Sequence, residues 1–173
     1  MVENNKYINL QPPQSLQVKY PISAEVAHRI KQFRQEIADI ICKKDKRRII
    51  ICGPCSIDNK DAAIEYAKRL KSLSKKCPKL LIVMRCYFEK GRTALGWKGW
   101  LNDPDKNHTC NIEKGIDNCR ELLSQISQLN LPIATEFISP YLHAYFSDFI
   151  SWGCIGARTT ESQPHRELAS SLA

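Results

Sequence analysis

The sequence predicts an α/β protein built as the first half of a (β/α)8 TIM barrel, about four βα units preceded by an N-terminal arm and helix. Three observations carry this prediction. Short apolar, β-branched runs alternate four times with segments of helical periodicity. The runs lack the strict apolar–polar alternation of a one-sided sheet, so they are expected to be buried on both faces, as in a parallel sheet covered by helices. Finally, Cys55, Arg85, Glu136 and Arg158 fall at or just after the ends of four successive runs. That is the rim at which barrels place their chemistry, and it favours a barrel over an open doubly wound sheet, which begins with the same alternation.

The elements follow in order. Residues 1 to about 22 are polar and contain Pro12, Pro13 and Pro21, which reads as an extended arm. Val26, Ile30, Phe33, Ile37 and Ile41 then recur at helical spacing behind Ser23, a suitable N-cap. This arm and helix make one region, 1–47, and the half-barrel makes the other, 48–173. Arg48 to Cys52 is the first strand, and a Gly53-Pro54 turn leads to a helix from about Lys60 to Leu73. Leu80 to Arg85 is the second strand, followed by a long loop and a helix around Ile116 to Leu129. Pro132 to Phe137 is the third, with a helix near Tyr141 to Ile150, and Cys154 to Ala157 the fourth, with a helical segment from about Gln163 onward. The last segment reaches Ala173 without a Gly cap or a following Pro, so the sequence is expected to stop inside an element, with four strands of eight.

Composition bounds the function. At 173 residues and 43% hydrophobic the chain has enough apolar content for a core. The net charge of +8 suits anionic partners, but the cationic run Lys43 to Arg48 reads as solvated surface. Helix-turn-helix, zinc-finger and aromatic RNA-binding signatures are missing, so a nucleic-acid partner is not expected. The N-terminus has no secretory pattern and the apolar runs are too short to span a bilayer, which points to a cytoplasmic protein without a membrane partner. Its eight cysteines are scattered through helices and strands, as expected of reduced thiols.

Four motifs carry possible chemistry. Cys52-Gly-Pro-Cys55 lies between a strand and a helix, where it reads as a thioredoxin-like thiol-disulfide dithiol, as a thiolate metal ligand, or simply as a turn. The aromatic residue expected before the first Cys of a thioredoxin motif is Ile51 here. Arg85, Lys90 and Arg92 follow a buried strand among glycines and can converge on phosphate or carboxylate. Glu136, within an apolar strand, and Arg158, after the next, must be paired if buried, either with each other or with a ligand. His165 lies near the same rim and also fits a plain helix-start role.

Taken together, GPCSI, MRCYFEKGRT, GWKGWLNDP and WGCIGARTTESQPHRELAS closely resemble type I 3-deoxy-D-arabino-heptulosonate 7-phosphate (DAHP) synthases. The resemblance runs from about Pro12 to Ala173 and covers about the first half of that family's barrel. It implies a metal-dependent, aldol-type condensation of phosphoenolpyruvate with erythrose 4-phosphate at the entry to the shikimate pathway of aromatic amino acid biosynthesis. Position by position, it implies a metal-binding role for Cys55, with a divalent ion of the Mn, Fe, Co or Zn class as cofactor. It implies phosphoenolpyruvate binding by Arg85, Lys90, Glu136, Ala157 and Arg158, with Lys90 also catalytic. Arg92 and Thr93 match the erythrose 4-phosphate site. The family's remaining metal ligands come from later strands, so the chain alone is expected to be inactive, dependent on a complementary C-terminal half or on homo-oligomers. The other reading is a non-catalytic, partner-binding half-barrel. The arm and helix resemble the family's subunit-contact region. Gly91 stands where the family usually has Pro, and Asp58-Asn59 where it has His-Asp. Leu142-His143-Ala144-Tyr145 replaces a Thr-Pro-Gln-Tyr segment that contributes to feedback inhibition by an aromatic amino acid.

Overall fold

The computed structural model describes residues 9–93 and 95–172. Four parallel strands form one sheet in the order β1-β2-β3-β4. They are β1 (Arg48–Cys52), β2 (Leu80–Arg85), β3 (Ile133–Glu136) and β4 (Trp152–Cys154). The register steps along the sheet. Arg48 is level with Leu80, but Ile133 at the start of β3 is level with Met84 near the end of β2, and Trp152 pairs with Ala134. Such stagger tilts strands about a common axis, the geometry that closes a barrel.

Side chains of β2 alternate between two cores, as a pleated strand requires. Ile82 and Met84 enter the large cluster, with Ala63, Ala67 and Leu70 of α3 (Lys60–Ser74) and Ile116, Cys119, Leu122, Leu123 and Ile126 of α4 (Ile112–Ser127). Leu81 and Val83 face the other way, onto Ala134 and Ile37. Ile37 belongs to α2 (Ala24–Ile41), whose Ser23 side chain caps the Val26 N–H at 3.2 Å as expected.

Several expectations need correction. Residues 1–8 of the arm lie outside the described residues, and the rest is not wholly extended, since Pro13–Lys19 forms a short helix, α1, that buries Leu16. Its Pro13 start is favourable because the first helical N–H is unpaired in any case. The strands are not all buried on both faces: in β1 Ile50 and Ile51 remain 41% and 38% exposed, because β1 is an edge of the sheet. Helix α4 begins about a turn earlier than predicted, capped by Asn111, which accepts from Lys114 N at 3.1 Å. Gly115 makes that early turn possible, since a Cβ there would lie 1.8 Å from the Leu101 carbonyl oxygen.

The helix expected near Tyr141 to Ile150 is instead a pair of 3-10 turns, His143–Tyr145 and Ser147–Phe149. Its carbonyls are taken from outside: Arg120 bonds Tyr145 O, and Arg34 bonds Ser147 O and Ile150 O. Strand β4 starts two residues early, and the residues from Ala157 make a 3-10 turn before α5 (Gln163–Ser171).

Candidate active site

The C-terminal ends of β1 and β2 meet closely. A Cβ on Gly53 would lie 2.4 Å from the Arg85 carbonyl oxygen, so only glycine lets the Gly53-Pro54 turn pass beneath β2. The turn delivers Cys55 to the loop after β2. There Lys90 Nζ lies 2.6 Å from Cys55 Sγ, and both Lys90 Nζ and an Arg85 guanidinium nitrogen lie 3.4 Å from Cys55 O. The Lys90 hydrogen bond and charge, with smaller contributions from Arg85 and Arg92, pull the Cys55 thiol below the ordinary thiol range.

Arg85 stacks on Tyr87, its guanidinium carbon 4.1 Å from the ring centroid. Its Nε is buried, and among the described residues nothing accepts from it. A buried cationic donor without an acceptor fits an anionic ligand, which would supply the missing oxygen. The Tyr87 hydroxyl in turn lies 3.2 Å from Cys154 Sγ. Burial first, then the contact with Cys154, pushes the Tyr87 hydroxyl well above its ordinary value, so it stays protonated.

The loop itself is pinned. Lys90 N donates to Lys98 O at 2.9 Å and Leu101 N to Phe88 O at 3.1 Å. Gly99 takes φ +103°, and a Cβ there would sit 2.3 Å from Phe88 O. Arg92 and Thr93 lie farther out and are exposed. Glu136 is half-buried, with Gly156 packed over it: a Cβ on Gly156 would lie 3.1 Å from Glu136 Oε1. Ala157 and Arg158 are exposed. Among the described residues no ion pair joins Glu136 to Arg158, which removes the structural ion pair as an account of both. The structure thus brings Cys55, Arg85 and Lys90 into contact, with Arg92 close enough to act on the thiol.

The sequence profile of the DAHP synthetase I family matches residues 19–173. The chain belongs to the DAHP synthetase I family.

Members with curated names agree. The chain is 52% identical over 162 residues to a phospho-2-dehydro-3-deoxyheptonate aldolase of Haemophilus influenzae, covering 93% of this chain and 45% of that protein. It is 44% identical over 174 residues to the Tyr-sensitive phospho-2-dehydro-3-deoxyheptonate aldolase of Escherichia coli K12, covering 98% and 49%. The solved phospho-2-dehydro-3-deoxyheptonate aldolase of Francisella tularensis SCHU S4 superposes with a TM-score of 0.91 at 47% identity, over 96% of this chain and 49% of that one. This DAHP synthetase I chain therefore spans about half the length of the relatives it matches, and its fold is half of their barrel.

Membership bears on the remaining motif readings. Family members are metal-dependent, yet among the described residues no three His, Cys, Asp or Glu side chains gather as a metal site. Cys55 offers one soft thiolate, already paired with Lys90, where catalytic ions take three or more protein ligands. The residues of this chain do not by themselves fit a metal ion. The dithiol reading fares no better, since Cys52 packs against the main core and both thiols are free. Sequence reasoning did not single out Tyr87 and Cys154, although Tyr87 lies two residues past Arg85, on the same face of an extended chain. Among the described residues no helix is long and apolar enough to cross a membrane.

Proposed function

We propose that this chain provides the first half of a DAHP synthase active site, serving the condensation of phosphoenolpyruvate with erythrose 4-phosphate in the cytoplasm. The observation that carries the reading is the convergence of Arg85, with its unpartnered Nε, and Lys90 on the turn that holds Cys55. Arg85, Lys90 and Arg158 bind the phosphate and carboxylate of phosphoenolpyruvate beside Glu136 and the Ala157 N–H. Arg92 and Thr93 take the phosphate of erythrose 4-phosphate. Two anionic substrates repel each other, and a preorganised set of cations offsets that repulsion in the transition state. The enol carbon of phosphoenolpyruvate bonds to the aldehyde carbon, and the aldehyde oxygen takes a proton from Lys90. Water adds at the former enol phosphate carbon, and as phosphate leaves with its bridging oxygen the new hydroxyl gives up its proton, which leaves with the phosphate, to form the ketone of DAHP.

In the complete family enzyme a divalent ion of the Mn, Fe, Co or Zn class would supply Lewis acidity to the aldehyde. Cys55 would be one ligand, with the others drawn from the half of the barrel that the relatives have beyond the region matched here. Residues 1–47 serve as the subunit-contact region.

The test is phosphoenolpyruvate consumption by the purified chain with manganese, with and without erythrose 4-phosphate. It is run alone and mixed with the separately produced C-terminal half of the Haemophilus influenzae relative. The expected result is no turnover alone, and turnover on mixing that requires erythrose 4-phosphate and is lost in Cys55→Ala. A folded mixture without turnover would leave the second reading, a non-catalytic half-barrel that binds a partner, which the exposed Ile50 and Ile51 of β1 favour.

A further inference from the structure

Two side chains that the reaction does not use grip the same short piece of backbone. Glu89 Oε2 accepts from Ile138 N at 3.0 Å and from Ser139 N at 3.2 Å, and the carboxylate is buried, the residue only 8% exposed. Burial, opposed by these two N–H groups, raises the Glu89 carboxyl above its ordinary value, with a further push from the Glu136 charge. From the other side of the peptide, His165 Nε2 lies 2.8 Å from Ile138 O. A carbonyl only accepts, so Nε2 carries the hydrogen and Nδ1 is left to accept from the Ser162 hydroxyl, 2.8 Å away. Ser162 is the N-cap of α5, yet its side chain caps no helix N–H. An N-cap serine that gives up about 1 kcal/mol of capping to orient a histidine is a local rule broken in favour of a longer-range contact.

The three elements joined here are those that bear the proposed ligands. Glu89 precedes Lys90, Ile138 follows Glu136 by two residues, and His165 belongs to α5, which the turn bearing Arg158 leads into. We propose that Glu89 and His165 are positioning residues, which lock the Lys90–Thr93 loop and the start of α5 to the end of β3 and so fix the spacing of Lys90, Glu136 and Arg158. The proposal rests on the phosphoenolpyruvate reading for its consequence in binding, but not for the lock itself.

The test compares His165→Phe and Glu89→Leu, which fill space without the hydrogen bonds, with His165→Gln and Glu89→Gln, which keep a donor or an acceptor. All four are made in the full chain, with the fold checked by circular dichroism. In the folded apolar variants the Lys90 amide should exchange with deuterium about tenfold faster, with amides of β1 and α3 unchanged and the glutamine variants close to wild type. Phosphoenolpyruvate affinity, read by calorimetry, should fall about tenfold in the same two variants and recover in the glutamine pair. Unchanged Lys90 exchange in a folded His165→Phe or Glu89→Leu chain would overturn the lock. If wild type itself does not bind phosphoenolpyruvate, the functional reading fails while the exchange result still decides the lock. If Glu89→Leu does not fold, His165→Phe against His165→Gln decides it.

Discussion

Cys55 and Lys90 are 35 residues apart in sequence and 2.6 Å apart in space, so the state of one depends on the other. The thiolate is favoured by the neighbouring ammonium, which moves its titration down from the ordinary thiol range. Alkylation of Cys55 by iodoacetamide, followed site by site by mass spectrometry across pH, should therefore show a midpoint that shifts upward in Lys90→Met. An unshifted midpoint would mean the pair does not form in solution. Gly91, beside Lys90, makes no use of glycine's freedom: it lies outside the left-handed region, and a Cβ would meet only Ile138 Cδ1, at 3.9 Å. Among the described residues its N–H has no backbone acceptor. Gly91→Ala should thus be accommodated and raise stability by about 0.4–1 kcal/mol, through a less flexible unfolded chain, as read from the urea midpoint.

At the scale of elements, Arg120 explains why the arm folds as it does. In sequence it is one charge on a helix that no motif singles out. In the structure its side chain is fully buried, bonding Leu16 O, Tyr20 O and Tyr145 O and both carboxylate oxygens of Asp148. Arg120 therefore ties α1 and the 3-10 turns to α4. Arg120→Leu leaves Asp148 and three carbonyls without this partner and should cost roughly 3–5 kcal/mol in urea unfolding. Proteolysis should then cut at Lys19 first, because α1 loses its anchor. Equal protection of Lys19 in variant and wild type would count against this role. The same residues show why local reading went wrong here. Helical spacing in 141–150 was legible, but Arg34 and Arg120 capture the carbonyls an α-helix would keep, and both come from distant segments.

For the whole molecule, the accessible surface of 10900 Å² exceeds the roughly 8,600 Å² expected of a folded monomer of this mass, 19.8 kDa. Allowing residues 1–8 the full area of an extended chain, about 1,400 Å², still leaves an excess on the order of 1,000 Å². Part of it is apolar: Ile50 and Ile51 stand exposed on edge strand β1, and exposed Ile41 with half-buried Trp152 and Leu172 lines an open groove beside β4. Among the described residues both edges of the sheet are unpaired, and such edges beside an uncovered face favour self-association. Light scattering on the isolated chain should find oligomers growing with concentration, reduced in Ile51→Lys. A stable, monodisperse monomer would contradict this.

The sequence by itself determined the strand–helix alternation, the parallel sheet and the family, because apolar periodicity and long motifs are local properties. It also placed β1, β2 and the Ser23 cap where the structure has them. Only the tertiary structure decided which polar groups meet: Lys90 with Cys55, Arg85 with Tyr87, and Glu89 and His165 on one peptide. It also decided that β1 is open and that 13–19 is helical. The physical reason is common to all of these. Each depends on partners brought by strand register and helix packing from tens of residues away, and no local pattern encodes which distant group arrives to accept a hydrogen bond or to cover a face.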